Sequence, residues 1–305
     1  MTAVFSPPDP PQPPPARSSL WRGVRLFALL LAAVFVAAYL FTLMDESAPF
    51  GGRKLALVRI EGVIADAKET LDELERYAKN PSVLGIVLRI DSPGGAVVPS
   101  QEIYEAVNRL RTTYGKKVVV SMGTVAASGG YYIAAASDKI VASPGTLTGS
   151  IGVIMEIPNV EGLLKKVGVE SIVIKSGSHK DTGSPFRKMS PEERALLQSV
   201  LDDVHHQFIE AVARGRGLTV VDVTRLADGR VFTGRQAKEA GLVDQLGDLR
   251  DAIHAAAALV HIEGEPEVIE TRPRFSLREL LQSKIFGNGV VGFPTGVRLE
   301  YRMAF

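Results

Sequence analysis

The run from Leu26 to Met44 holds nineteen residues without a charge. As a helix rising about 1.5 Å per residue, it matches the ~30 Å hydrocarbon core of a bilayer. The pattern predicts a transmembrane helix. Arg17, Arg22 and Arg25 precede it, and Asp45 and Glu46 follow. The positive-inside tendency therefore puts the N-terminus in the cytoplasm and everything after Met44 outside. A cleaved signal peptide is the rival, but its apolar region runs about 7–15 residues and ends at a small-x-small site, and neither condition is met cleanly. A buried core helix is the other alternative, although the run shows no amphipathic period. Ahead of it, seven of the eighteen prolines fall between Pro7 and Pro15, a stretch with no apolar face to bury, expected to stay extended in polyproline II form.

Beyond Gly51 the pattern changes. Apolar runs of strand length, Lys54–Ile60 and Leu84–Ile90, flank a helical segment over Thr70–Lys79, which predicts a βαβ start. A helix around Gln101–Arg111, a strand at Lys117–Ser121, a helix opening near Ser128, and strands near Ile140–Ala142 and Ser171–Lys175 continue the series. The expected fold class is α/β, a mostly parallel sheet flanked by helices. Ser190-Pro191-Glu192-Glu193 reads as a capping box opening a long helix to about Ala213, stopped by Gly215 and Gly217. Shorter helices are expected at Arg235–Glu239, ending at Gly241, and from an Asp248 cap to about Leu259. The resulting division is a leader over 1–25, the membrane helix over 26–44, one α/β domain over 51–263, and an extension over 264–305. That extension holds a strand candidate, Val268–Thr271, and an amphipathic segment, Ser276–Phe286, suited to docking on a neighbour or a lipid surface.

Composition narrows the chemistry. With no cysteine, neither a disulfide nor a thiolate metal site exists. Lys and Arg number 35 against 34 Asp and Glu, which argues against nucleic acid as a partner, since duplex binding needs clustered cations. No H-E-x-x-H or G-x-x-x-x-G-K-[ST] pattern occurs, so no metal or cofactor is expected.

Ala126 to Tyr132 reads AASGGYY, directly after a predicted strand and opening a helix. A serine beside glycines at such a turn resembles a nucleophile elbow in its geometry, with free helix N–H groups nearby. Ser128 acting as a plain helix N-cap is an equally open reading. Asp91-Ser92-Pro93-Gly94-Gly95 closes another strand, at the sheet edge where open α/β folds build sites. There a glycine N–H, together with that of Gly129, would form an oxyanion hole; an ordinary Pro-Gly turn is the alternative. Of the five histidines only His179 lies in a loop. Beside it, Lys180 sits in the Gly/Ser-rich KSGSHKD segment. A lysine serves as base only when neutral, which takes lowering its pKa from about 10.4 by about three units in an apolar site. A solvated loop lysine is the competing reading. His206 and Glu210 stand at i and i+4, a solvated helix pair.

Taken together, DSPGG, SMGTVAASGGYYIAAASDKIVA, TLTGSIGVI, KSGSHKDTGSPFRKMSPEER and GRVFTGRQAKEAGLVDQLG resemble the signal peptide peptidase A family, membrane-anchored bacterial serine peptidases of the ClpP/crotonase superfold. The likeness runs from about Leu55 to Ile253 and fits the family's short form. It implies Ser128 as nucleophile, Lys180 as general base, Gly95 and Gly129 as oxyanion-hole donors, and Ser150 as the hydroxyl that orients the lysine. It further implies signal peptides left in the bacterial inner membrane as substrates. The expected assembly is a dome of about eight protomers, in which adjacent subunits share each dyad. A crotonase-like acyl-CoA enzyme holding an enolate, and a catalytically silent membrane scaffold, are the rival functions.

Overall fold

The computed structural model describes residues 27–37, 53–271 and 300–302. The chain divides into two units, Met1–Gly51 and Gly52–Phe305. In the first, residues 27–37 form an exposed helix, α1. No helix among the described residues is long and apolar enough to cross a membrane. Leu26 and residues 38–44 of the expected span lie outside them, as do the proline-rich leader and Ser276–Phe286.

The second unit is organised by β1 (Lys54–Glu61), β2 (Val83–Ser92) and β4 (Lys117–Ala127), each paired in parallel with the next. Their near-continuous apolar runs are what a sheet covered on both faces requires. Because side chains alternate, β1 sends Ala56, Val58 and Ile60 into the larger core and Leu55 and Leu57 into the smaller. The larger core is closed by α2 (Lys68–Lys79), α3 (Val97–Thr112), α4 (Gly129–Ala135) and α6 (Pro191–Arg216), the smaller by α9 (Leu249–Leu259).

Two details position the site. β4 is longer than the apolar run suggested. Its first half pairs with β5 (Lys139–Ala142), and its second half leaves that neighbour to pair with β6 (Leu147–Gly149). β6 in turn pairs antiparallel with β7 (Val231–Thr233). The long strand thus carries Ala127 beyond β5 to pair with Gly149, delivering Ser128 beside that glycine. β3 (Gly94–Ala96) leaves the end of β2 and pairs antiparallel with β10 (Glu300–Arg302). β8 (Gln245–Leu246) extends β5, and β9 (Glu267–Glu270) extends β1.

The capping boxes at Ser190, ahead of α6, and at Asp248, ahead of α9, form as expected. Another opens α8 (Gly234–Glu239) at Thr233. Only Gly217, at φ 64°, ends α6. Gly215 lies inside the helix, where a Cβ would come 1.9 Å from the Ala135 carbonyl, so it serves close packing rather than termination. The expected strand at Ser171–Lys175 is a correction. These residues are irregular and exposed, Ile174 by 97 %. The apolar run has strand character, but no strand among the described residues pairs with it. Between β6 and α6, the described chain adds only α5 (Glu161–Lys166), while α7 (Val220–Leu226) follows α6.

Candidate active site

Ser128 has φ 53° and ψ −116°, a conformation that costs a non-glycine residue about 1–3 kcal/mol. The turn is held from both sides. Ser128 N–H donates to the Gly149 carbonyl at 2.8 Å, and the Ser128 carbonyl accepts from Tyr132 N–H at 2.8 Å. Its side chain makes no capping bond to α4. The residue is 1 % exposed, and its Oγ is buried without a hydrogen-bond partner. This answers the N-cap alternative: the hydroxyl does none of the work a cap does. A buried hydroxyl left unpaired is costly, and such groups concentrate at functional positions.

The glycines converge on it. Gly94 adopts φ 101°, and a Cβ there would meet Gly129 N at 2.7 Å. A Cβ on Gly129 would stand 2.5 Å from Ser100 Oγ and 3.3 Å from Gly95 N. One on Gly95 would come 2.1 Å from the Ile64 carbonyl. DSPGG is therefore no simple turn. Its glycines allow three backbone segments to meet where side chains would keep them apart. Asp91 braces the arrangement, Oδ1 accepting from Val125 N–H at 3.1 Å, and Ser92 Oγ accepts from Gly94 N–H at 3.1 Å.

Ser150, next to Gly149, is also held at positive φ, 50°, with its N–H donating to the Arg230 carbonyl at 2.8 Å. It lines a cavity of about 480 Å³ with Ile154, Asp202 and His205. Ser128, Ser150, Gly95 and Gly129 are thus gathered at one edge. Lys180 is not. It occupies an exposed turn and makes no hydrogen bond to Ser128 Oγ within the chain. That turn is anchored by charge. Asp181 accepts from Lys175 Nζ at 2.5 Å and from Arg187 Nε at 2.8 Å, and Arg187 also pairs with Glu193 in the first turn of α6. The Arg187 and Lys175 cations hold the Asp181 carboxyl well below its ordinary range. Arg187, with the Ser190 N–H, lowers Glu193 to about 2.

Two features escaped the sequence. His205, whose Nε2 is buried and unpaired, lies three and four residues before buried Phe208 and Ile209, and that spacing places it on the inward face. The pairing of Glu300–Arg302 with β3 had no signal, since three residues carry no periodicity. Among the described residues no cluster of metal-ligating side chains exists.

Comparison with known proteins settles the family. Residues 111–263 match the model of Peptidase family S49, and residues 64–146 that of Clp protease. The chain is 47 % identical over 223 residues to "Putative protease slr0021" of Synechocystis sp., covering 72 % of this chain and 79 % of that one. The chain belongs to peptidase family S49. Its fold is the ClpP-like α/β fold with a mixed sheet, and it is a serine peptidase. Over 223 residues it is 39 % identical to "Putative signal peptide peptidase SppA" of Enterococcus faecium (69 % of this chain, 64 % of that one). "Protease 4" of Salmonella typhi is 39 % identical over 221 residues, 70 % of this chain and 35 % of the relative. The acyl-CoA alternative is thereby set aside: S49 membership makes the reaction peptide hydrolysis.

Proposed function

We propose that this S49 peptidase is a membrane-anchored endopeptidase that degrades signal peptides after their release from preproteins, through a dyad of Ser128 and Lys180. The observation that carries the reading is the Ser128 hydroxyl, buried and unpaired on a strained turn, in the residue next to Gly129, whose backbone closely approaches that of Gly95. The neutral Lys180 amine takes the Ser128 proton as Oγ attacks the peptide carbonyl carbon. The oxyanion rests on the two glycine N–H groups, where removing one donor typically costs about 2.7–4 kcal/mol. Collapse of the intermediate breaks the C–N bond, and the ammonium of Lys180 returns its proton to the leaving amine. Water, deprotonated by the same lysine, then hydrolyses the acyl-enzyme. Ser150 accepts the role of orienting the lysine. The charge-free run over 26–44, basic before and acidic after, supports a single anchor in a bacterial inner membrane with the catalytic domain outside. The name of the Enterococcus faecium relative supports the substrate class.

Lys180 stands exposed and apart from Ser128 within one chain, which favours a dyad completed between adjacent protomers of a ring of about eight. Co-expression tests this. Ser128→Ala and Lys180→Ala chains are each expected to be inactive on peptide, yet their mixed rings should recover activity, because some neighbouring pairs set an intact serine against an intact lysine. Mixed rings, verified by native mass spectrometry, that stay inactive would confine the dyad to one chain.

A further inference from the structure

The strands β2 and β4 keep a strict parallel register from Gly85 opposite Lys117 to Ile90 opposite Met122, and then lose it. The next pair is Ser92 opposite Ala126. Between those two pairs β2 contributes one residue, Asp91, whereas β4 contributes Gly123, Thr124 and Val125. β4 therefore bulges away from its neighbour. The interruption coincides with its change of partner, since β4 pairs with β5 up to Ser121 and with β6 from Val125. Bulges bend the strand that carries them, re-aim the residues beyond, and gather beside active sites.

Asp91 fills the bulge. Its Oδ1 accepts from Val125 N–H at 3.1 Å, so a side chain holds β4 to β2 across the interruption. A Cβ on Gly123 would stand 2.6 Å from Asp91 Cγ and 2.8 Å from its Oδ2; only glycine leaves room for the carboxyl. From the other side, Thr146 Oγ1 donates to the Gly123 carbonyl at 2.8 Å and Thr148 Oγ1 to the Ala126 carbonyl at 2.6 Å, both threonines being buried. Gly95 lies four residues beyond Asp91, and Gly129 four beyond Val125. The Asp91–Val125 bond thus ties together the two arms that carry these glycines just before they meet, where a Cβ on Gly129 would come 3.3 Å from Gly95 N.

We infer that Asp91 is a positioning residue for peptide hydrolysis: by filling the bulge, it sets the register at which β4 presents Ser128 and Gly129 to Gly95. The inference rests on the proposed assignment of Ser128 as nucleophile and of Gly95 and Gly129 as oxyanion donors. Asp91 acts through the backbone and not on the reacting atoms. What it controls is the separation of two donors, which matters to the developing oxyanion and far less to the bound carbonyl. A misplacement of about 1 Å in such a site costs about a hundredfold in rate.

The test compares the full chain with Asp91→Asn, Asp91→Ala and Asp138→Ala. Each is assayed on an internally quenched peptide rich in Ala and Leu, labelled with a serine-reactive fluorophosphonate, and melted thermally. Asp138 is the control: near the start of β4 its Oδ2 accepts from Val118 N–H at 2.8 Å, the same kind of bond far along the strand from Ser128. Asp91→Ala is expected to lower kcat by about ten- to a hundredfold with KM within about twofold, and to slow labelling in proportion. Asp91→Asn keeps an oxygen acceptor and should stay within about threefold of the parent. Asp138→Ala should lower the melting temperature with little change in kcat. An Asp91→Ala chain whose kcat falls no further than that of Asp138→Ala, or an Asp91→Asn chain as slow as Asp91→Ala, would overturn the proposal. If Asp91→Ala does not fold, Gly123→Ala displaces the carboxyl by another route; it must show the same loss of kcat, and a parent-like kcat overturns the proposal equally. A Ser128→Ala chain run alongside keeps the two readings apart: if it still cleaves the peptide, the assignment of Ser128 fails, whatever Asp91 does.

Discussion

Ser128 concentrates the residue-scale physics. Its φ and ψ are the mirror image of an extended conformation, which glycine enters without steric cost. The side chain also carries an unpaired buried hydroxyl. On the proposed reading both penalties serve catalysis rather than folding, so removing them should stabilise the fold. Ser128→Gly is expected to be inactive and to melt higher than the parent by a few degrees, as strain of about 1–3 kcal/mol is relieved and partly offset by glycine's chain entropy. Ser128→Ala relieves only the hydroxyl and should melt below Ser128→Gly. Calorimetry of the three proteins checks the order; glycine below alanine would mean that the turn is unstrained. What the sequence revealed at this scale was the serine among glycines, which left a cap and a nucleophile equally open. The choice depended on where Oγ points, and that follows from the φ and ψ that Gly149 and Tyr132 impose through the backbone.

At the scale of elements, the turn carrying Lys180 is held to α6 by ions rather than by apolar packing. Arg187 reaches both Asp181 and Glu193, and Lys175 reaches Asp181. Both carboxyls titrate below their ordinary range. The clamp is therefore at full strength above about pH 5.5, where the free carboxyls are already ionised, and it weakens as pH falls towards the lowered value of about 2 at Glu193. Protection of the amides across residues 175–189, with rates corrected for the pH dependence of intrinsic exchange, is expected to fall on acidification through that window while β1, β2 and β4 stay protected. Arg187→Ala should show the low protection already at neutral pH. Equal protection of the turn in both proteins at every pH would remove the clamp from the account. Helices opened by Ser190 and Asp248 were legible in the sequence because capping is local chemistry. The strand expected at Ser171–Lys175 was misread because periodicity reports a capacity to pair, and pairing takes a partner strand, which is not found among the described residues.

For the whole molecule, the proposed orientation has its own test. Alkaline phosphatase fused after Gly51 should be active in a Gram-negative host, because three arginines precede the apolar run and two acids follow it. An inactive phosphatase, with an active cytoplasmic reporter at the same junction, would reverse the topology. The sequence by itself determined the α/β alternation and the two-sided burial of β1, β2 and β4, since contiguous apolar runs bounded by turns have few other solutions. It also marked Ser128, Gly129 and the Gly94-Gly95 turn as special, because their neighbours are the residues that sharp turns demand, whereas Ser150 was singled out only by the family resemblance. Tertiary structure alone decided that β4 changes partners midway and carries Ser128 beside Gly149. It alone set His205 against the cavity that holds Ser150, left Lys180 exposed, and laid Tyr301 between β3 and Ile154. These relations join residues from 20 to more than 200 positions apart, and no local pattern encodes them, because they arise only when the sheet's register and the helices packed on it bring distant backbone into contact.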